Sequence, residues 1–239
     1  MRKFLATGVA LNQIEPPARR YDALLFDLLT ALLDSWSLWN AVAGSEEAGL
    51  RWRRAYLART YATGAYRPYE TLVAEAADEV GLDRGCADEL AARYGELRPW
   101  PGVAEELRQL RAAGVKLGIA TNCSEALGRT AALCVGIPFD VVVTAERAGF
   151  YKPDPAPYRL ALAELDVAPQ RCLFVAGSAY DLVGAPRRAR YLVARPDQHG
   201  KAARGARAAA PYARPEGPRR LRPRPLSARP RPQKISSAP

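Results

Sequence analysis

The stretch Tyr21–Ser35, YDALLFDLLTALLDS, sets a carboxylate directly behind a four-residue apolar run. Ala23–Phe26 has the length and composition of a buried strand. An ionisable group at the buried end of such a strand costs several kcal/mol unless it is paired. A solvated turn is the ordinary fate of an aspartate in this position. Which fate holds for Asp27 depends on what else the chain brings to the same edge.

Three further apolar runs follow: Val115–Ala120 (VKLGIA), Asp140–Thr144 (DVVVT) and Cys172–Gly177 (CLFVAG). Between them lie SEALGRTAALCVG and APYRLALAELDV, whose apolar residues recur at helical spacing. Strands alternating with helices predict right-handed βαβ units and an α/β fold, a parallel sheet with helices on both faces. Between Ser35 and Pro99 the pattern is helical only, in LWNAVAGSEEAGLRWRRAYLARTYA and PYETLVAEAADEVG, which predicts a helical insertion after the first strand. RPWPGVAEELRQLRAAG then returns the chain to the core, with Pro101 near a helix start and Gly114 at its end.

The net charge of +10 lies in one place. From Pro186 to Pro239, thirteen Arg and two Lys stand against Asp197 and Glu216, so this segment holds +13 and residues 1–185 hold −3. The same segment carries ten of the 20 prolines, and its alternation of Arg, Pro and Ala cannot bury enough apolar surface to fold. It lacks a periodic basic helix and interleaved aromatics, so no specific nucleic-acid module is expected, and weak polyanion binding follows from its charge. No apolar run reaches the ~18 residues of a membrane span. The opening MRKFLATGVALNQIEPPARR starts like a secretory signal but breaks off at Asn12, which reads as a leader on a cytoplasmic protein. Cys86, Cys123, Cys134 and Cys172 are too dispersed for a zinc or iron–sulfur site, and reduced thiols are expected. The single histidine, His199, falls in the basic segment, which disfavours mechanisms built on a histidine base.

In an open parallel sheet, ligands bind beyond the carboxyl ends of the strands. Asp27 follows the first run, Thr121 and Asn122 the second, and Ser178 and Asp181 the fourth, while Lys152 in FYKPDP stands just beyond the third. An ionised Asp27 beside an ammonium is suited to act as a carboxylate nucleophile. Lys152 is the natural counter-charge, and Asp181 suits the positioning or deprotonation of water. Thr121 and Asn122 supply donors for an anionic substrate group. Blander roles compete: Lys152 as a loop lysine, Asp181 as a helix cap, Thr121 and Asn122 as the start of the next helix. Cys123 is a further nucleophile candidate, but no histidine stands near to activate it.

The series FDLLTALLD, ATNCSEA, YKPDPAPY and FVAGSAYDLVGA, in this order and with a helical insert after the first, resembles the haloacid dehalogenase (HAD) superfamily, most closely its (S)-2-haloacid dehalogenase branch. The resemblance runs from about Tyr21 to Ala185. It implies a Rossmann-like core over residues 20–35 and 99–190 and a helical cap domain over 36–98, flanked by a leader (1–19) and a basic tail (191–239) expected to be disordered. It implies hydrolytic dehalogenation of a short 2-haloacid through an ester on Asp27, with Lys152 holding Asp27 and Asp181 orienting water. LRWRRAYLARTY resembles the family's substrate-binding segment, which places that role on Arg53, with Arg54 as the neighbouring possibility. Substrate contacts are implied for Thr121, Asn122, Ser178 and Tyr180, and a homodimer for the assembly.

The sequence departs from the family's F-D-x-Y-G-T-L, with Leu29, Thr30 and Ala31 at the last tyrosine, glycine and threonine positions. Thr30 is costly there if its φ is positive. Ala31 lacks a hydroxyl that Thr30 could supply by a local shift. Ser178 and Tyr180 replace the usual asparagine and tryptophan, and Ala176 a frequent serine. Phosphatases of the superfamily carry an acid two residues after the nucleophile and hold Mg2+ on an acidic pair in the fourth motif; here those positions hold Leu29, Gly177 and Ser178. No metal or other cofactor is therefore expected, since halide leaves without protonation. Two alternatives stay open: a magnesium-dependent phosphatase, and a HAD-fold protein with a binding role.

Overall fold

Ala23–Phe26 forms β1, and all four of its side chains are buried, as in a strand covered on both faces. The computed structural model describes residues 20–177 and, by backbone, the strand Arg190–Leu192. The expected leader, Ser178, Tyr180, Asp181 and the rest of the basic segment lie outside the described residues. So does the second of two units into which the chain divides, Arg207–Pro239; the description below concerns the first, Met1–Ala206.

After β1 comes a turn of π pitch, Leu28–Leu32, closed by the Leu33 N–H on the Leu28 carbonyl at 3.1 Å. The chain then runs through α1 (Ser35–Val42), α2 (Glu46–Thr63), α3 (Tyr69–Glu79) and α4 (Gly85–Ala92) before α5 (Val103–Ala112). There follow β2 (Lys116–Thr121), α6 (Glu125–Cys134), β3 (Val141–Thr144), the short α7 (Ala145–Ala148), α8 (Pro155–Leu165), β4 (Cys172–Ala176) and β5 (Arg190–Leu192). The run LWNAVAGSEEAGLRWRRAYLARTYA is divided between two helices, α1 and α2. Gly44 takes a φ of +79°, and Ser45 Oγ accepts the Ala48 N–H at 3.1 Å to cap α2, with Glu46 and Glu47 favourable in its first turn.

Among the described residues the sheet has five strands in the order β3-β2-β1-β4-β5, all parallel. The expected strands differ from the observed ones by a residue at their ends, which places Thr121 inside β2 as its last residue. Arg190–Leu192 pairs with Phe174–Ala176, so Tyr191 and Leu192, expected in the basic tail over 191–239, belong to the sheet. Strand order reverses between β1 and β4, the position at which such sheets take ligands. Asp27 ends the central strand at that point.

Alternate residues of β1 serve opposite cores. Leu24 and Phe26 pack with Leu117, Ile119 and Val175 against a cluster that continues into the insert through Trp39, Trp52 and Tyr56. Ala23 and Leu25 pack with Val143 and Phe174 against Tyr158, Ala161, Leu162 and Leu165 of α8. Each fully buried Leu or Phe contributes roughly 1.5–3 kcal/mol. The insert leaves and returns beside itself: Asp34 N–H bonds the Arg98 carbonyl at 2.9 Å and Trp100 N–H the Leu32 carbonyl at 3.0 Å. A second junction joins Ala65 and Phe150 in an antiparallel bridge, where Tyr66 stacks on Tyr151 at 5.4 Å. No helix among the described residues is long and apolar enough to cross a membrane.

Candidate active site

Asp27 continues the ladder of β1, its N–H bonding the Val175 carbonyl at 2.9 Å, and only 5% of the residue is exposed. Its side chain caps the π turn. Oδ2 accepts the Thr30 N–H at 2.9 Å, the Thr30 hydroxyl at 2.6 Å and the Ala31 N–H at 3.2 Å. Oδ1 accepts from Lys152 Nζ at 2.8 Å. The buried end of the strand thus carries a paired carboxylate, not a solvated one. Burial pushes the Asp27 carboxyl up, but the Lys152 ammonium and the bonds from Lys152 and Thr30 outweigh it, and the group sits below its ordinary value of 3.8.

Lys152 is 1% exposed, which disposes of its reading as a solvated loop lysine. At 2.8 Å and an effective dielectric of ~20 the attraction is roughly 6 kcal/mol, of the order of the desolvation it offsets. Its Nζ also lies 5.9 Å from the centroid of the Phe174 ring, a cation–π contact from β4. The backbone of Lys152 is held from the next strand. Asn122 Nδ2 donates to the Lys152 carbonyl at 3.1 Å, and Asn122 Oδ1 accepts the Lys152 N–H at 2.7 Å. A primary amide has two N–H donors, so this clamp and a substrate contact are compatible for Asn122.

Thr121 is buried and donates its hydroxyl to Cys123 Sγ at 3.5 Å. Cys123 is buried and its thiol is pushed up to about 12 by burial, so thiolate chemistry is unfavourable there. Arg53 is placed on α2, where Nη1 bonds Asn40 Oδ1 at 2.8 Å and the Trp36 carbonyl at 3.3 Å. Burial lowers its guanidinium to about 10, still charged at neutral pH. Asp27, Lys152 and Asn122 are thus joined by direct bonds, Thr121 ends the neighbouring strand, and Arg53 stands on the insert. Ser178, Tyr180 and Asp181 lie outside the described residues.

Two participants were missed or underweighted by the sequence reading. Thr30 carries no left-handed strain, since Asp166 is the only non-glycine residue of positive φ among the described residues; its hydroxyl takes the place of one at Ala31. Tyr56 of α2 donates to the Asn122 carbonyl at 2.8 Å, tying the insert to the clamp on Lys152. Its one sequence signal is its place one turn after Trp52 on the apolar face of α2. Ser124 similarly donates to Glu70 of α3 at 2.6 Å. Among the described residues no group of three His, Cys, Asp or Glu side chains is arranged to hold a metal.

A family model described as haloacid dehalogenase-like hydrolase matches residues 13–187. The chain is 30% identical over 180 residues to (S)-2-haloacid dehalogenase H-109 of Pseudomonas putida, covering 69% of this chain and 80% of that one. It is 26% identical over 183 residues to haloacetate dehalogenase H-2 of Moraxella sp. (strain B), covering 70% and 82%. Its fold is similar to the structure of L-2-haloacid dehalogenase from Xanthobacter autotrophicus with chloropropionic acid covalently bound, with a TM-score of 0.66, 26% identity and coverage of 74% and 79%.

Proposed function

We propose that this chain, which belongs to the haloacid dehalogenase-like hydrolases, hydrolyses short (S)-2-haloacids without a metal, through an ester on Asp27. The observation that carries the reading is the buried pair of Asp27 and Lys152 at 2.8 Å, on the carboxyl edge of the central strand. Three donors occupy Oδ2, whereas among the described residues Oδ1 receives the ammonium alone. Oδ1 is accordingly the attacking atom.

In the first step Oδ1 attacks C2 opposite the carbon–halogen bond, and the halide leaves with the bonding pair. C2 inverts, so the (S) substrate gives an (R) product. In the second step water adds to the carbonyl carbon of the Asp27 ester, losing a proton to a base, and the tetrahedral intermediate collapses by expelling the oxygen bound to C2, which takes up a proton as the 2-hydroxyacid leaves and the Asp27 carboxylate is restored. The products are a 2-hydroxyacid, halide and a proton. Asp181 is assigned to that base by resemblance. The relative with chloropropionic acid covalently bound supports a covalent route. Halide needs no proton to depart, which fits the apolar Leu29 two residues after Asp27.

Lys152 keeps Asp27 ionised before attack. The remaining amide hydrogen of Asn122, Ser178 and Tyr180 are assigned to the small anionic substrate, and Arg53, from the insert acting as a cap over residues 36–98, to its carboxylate; the Thr121 hydroxyl joins them only by turning from Cys123 Sγ. A cytoplasmic homodimer completes the proposal. The test is halide release from (S)-2-chloropropionate in EDTA, beside Asp27→Asn. Release that the substitution abolishes supports the reading. Phosphate release from an aryl phosphate, dependent on added magnesium and without halide release, would replace it with a phosphatase.

A further inference from the structure

The peptide between Thr30 and Ala31 is pinned on three sides. Trp100, on the segment returning from the insert, donates Nε1–H to the Thr30 carbonyl at 3.1 Å. The Thr30 hydroxyl and the Ala31 N–H face Asp27 Oδ2. The third side is Gly177, the residue directly after β4. A Cβ placed on Gly177 would overlap the carbonyl carbon and Oγ1 of Thr30 and the amide nitrogen of Ala31. Two of those atoms are backbone, so no side-chain rotation relieves the overlap. With Trp100 behind it, the turn could give way only by moving off Asp27.

We propose that Gly177 and Thr30 are a matched pair, in which the bare Cα of Gly177 lets the π turn close on Asp27 and bring the Thr30 hydroxyl to Oδ2. Gly177 is thereby a positioning residue for the nucleophile, acting through Thr30 without touching substrate. This explains how the chain works with threonine and alanine where the family pattern has glycine and threonine: the hydroxyl has moved one residue back, and the strand opposite has a hydrogen where the turn needs room. A hydrogen bond to a charged acceptor is stronger than one between neutral groups, so its loss should be felt at Asp27 first. The catalytic consequence rests on the proposed nucleophilic role of Asp27; the geometric pairing does not.

The experiment is carbon-13 NMR titration of the Asp27 carboxyl in the full chain, its resonance assigned with Asp27→Asn, together with halide release. The other groups facing Asp27 among the described residues are Lys152 from the α7–α8 loop, Cys123 from the β2–α6 loop and Tyr56 from α2. Cys123 and Tyr56 are both raised by burial and do not titrate in acid. Thr30→Val and Gly177→Ala should each move the Asp27 titration to higher pH and slow halide release about tenfold or more, while Thr30→Ser keeps both near wild type. The double variant should be no worse than the poorer single, because the hydroxyl bond lost in Thr30→Val is among those lost when Gly177→Ala moves the turn. A wild-type titration in Thr30→Val or Gly177→Ala, or effects that multiply in the double variant, would overturn the pairing. If Gly177→Ala does not fold, Thr30→Gly/Gly177→Ala decides: recovery of the fold supports the pair, because the turn can then move aside, and continued misfolding counts against it. A wild-type chain that releases no halide overturns the proposed activity alone, and the titrations still judge the pair.

Discussion

Tyr56 on α2 and Asn122 beyond β2 meet through one bond, phenol to backbone carbonyl at 2.8 Å. The same asparagine grips Lys152 by both polar atoms of its side chain. The helical insert therefore reaches the buried pair of Asp27 and Lys152 through two successive hydrogen bonds. Tyr56→Phe leaves a partly buried carbonyl short of a donor, an effect of about 1 kcal/mol. We expect a lower melting temperature and a several-fold loss in kcat/KM, with the inversion at C2 unchanged, read by chiral chromatography of the product.

Asn122→Ala removes both partners of the Lys152 peptide at once. Leaving a buried N–H and carbonyl unsatisfied costs about 1–3 kcal/mol each, and the ammonium loses its fixed approach to Asp27. We expect kcat to fall about 10- to 100-fold and more than KM changes, in steady-state halide release. A KM effect alone would show Asn122 to be chiefly a substrate ligand.

Removing the carboxylate of Asp27, the proposed nucleophile, should weaken the fold. Asp27→Asn takes the carboxylate from a buried ammonium and turns an amide N–H or oxygen against partners suited to a carboxylate, so we expect a loss on the order of 3 kcal/mol at pH 7 in urea unfolding. The Asp27 carboxyl is lowered from 3.8 in the folded chain. Its stabilisation is therefore complete well above pH 3.8 and is lost as the pH falls through the folded value. The stability gap between wild type and Asp27→Asn should narrow below about pH 4, whereas Asp27→Asn/Lys152→Met should recover part of it at neutral pH.

Thiol reactivity separates the four cysteines. Cys123 and Cys172 are buried and their thiols are pushed up to about 12 by burial. Cys86 and Cys134 are partly exposed. Iodoacetamide at pH 8 followed by peptide mass spectrometry should alkylate Cys86 and Cys134 first and reach Cys123 and Cys172 only after denaturant is added. Cys123→Ser should retain halide release, and its inactivity in a folded protein would revive a role for the thiol.

The route of the oxygen atom tests the ester. In a single turnover in oxygen-18 water with enzyme in excess, the product hydroxyl should come from Asp27 and remain unlabelled, with the label left in the Asp27 peptide. Direct attack by water on C2 would label the product in the first turnover instead.

How far this site was legible follows from the range of the interactions that build it. Ala23–Phe26 and the three later strands announce themselves because each is a short apolar run bounded by polar residues, a pattern local to the chain. Asp27 and Lys152 were legible because the topology sends both strand ends to one edge. The break at Gly44 and Ser45 is written in the sequence as a glycine followed by a cap and two acids. The π turn has no such signature: closing Leu33 on Leu28 rather than on Leu29 depends on what presses on the turn, and Gly177 lies far along the chain. The Asn122 clamp is likewise a tertiary contact, between residues 30 apart, in which an asparagine side chain does what a neighbouring strand would do.

The paired exits at Asp34–Arg98 and Leu32–Trp100 have a consequence for the history of such a chain. A segment that departs and re-enters through neighbouring backbone bonds can be lengthened, shortened or exchanged as a cassette without shifting the register of any strand in the sheet. Chemistry lodged at the end of β1 can stay fixed while successive cassettes change what is admitted to it, so that substrate range evolves by replacement in a single place.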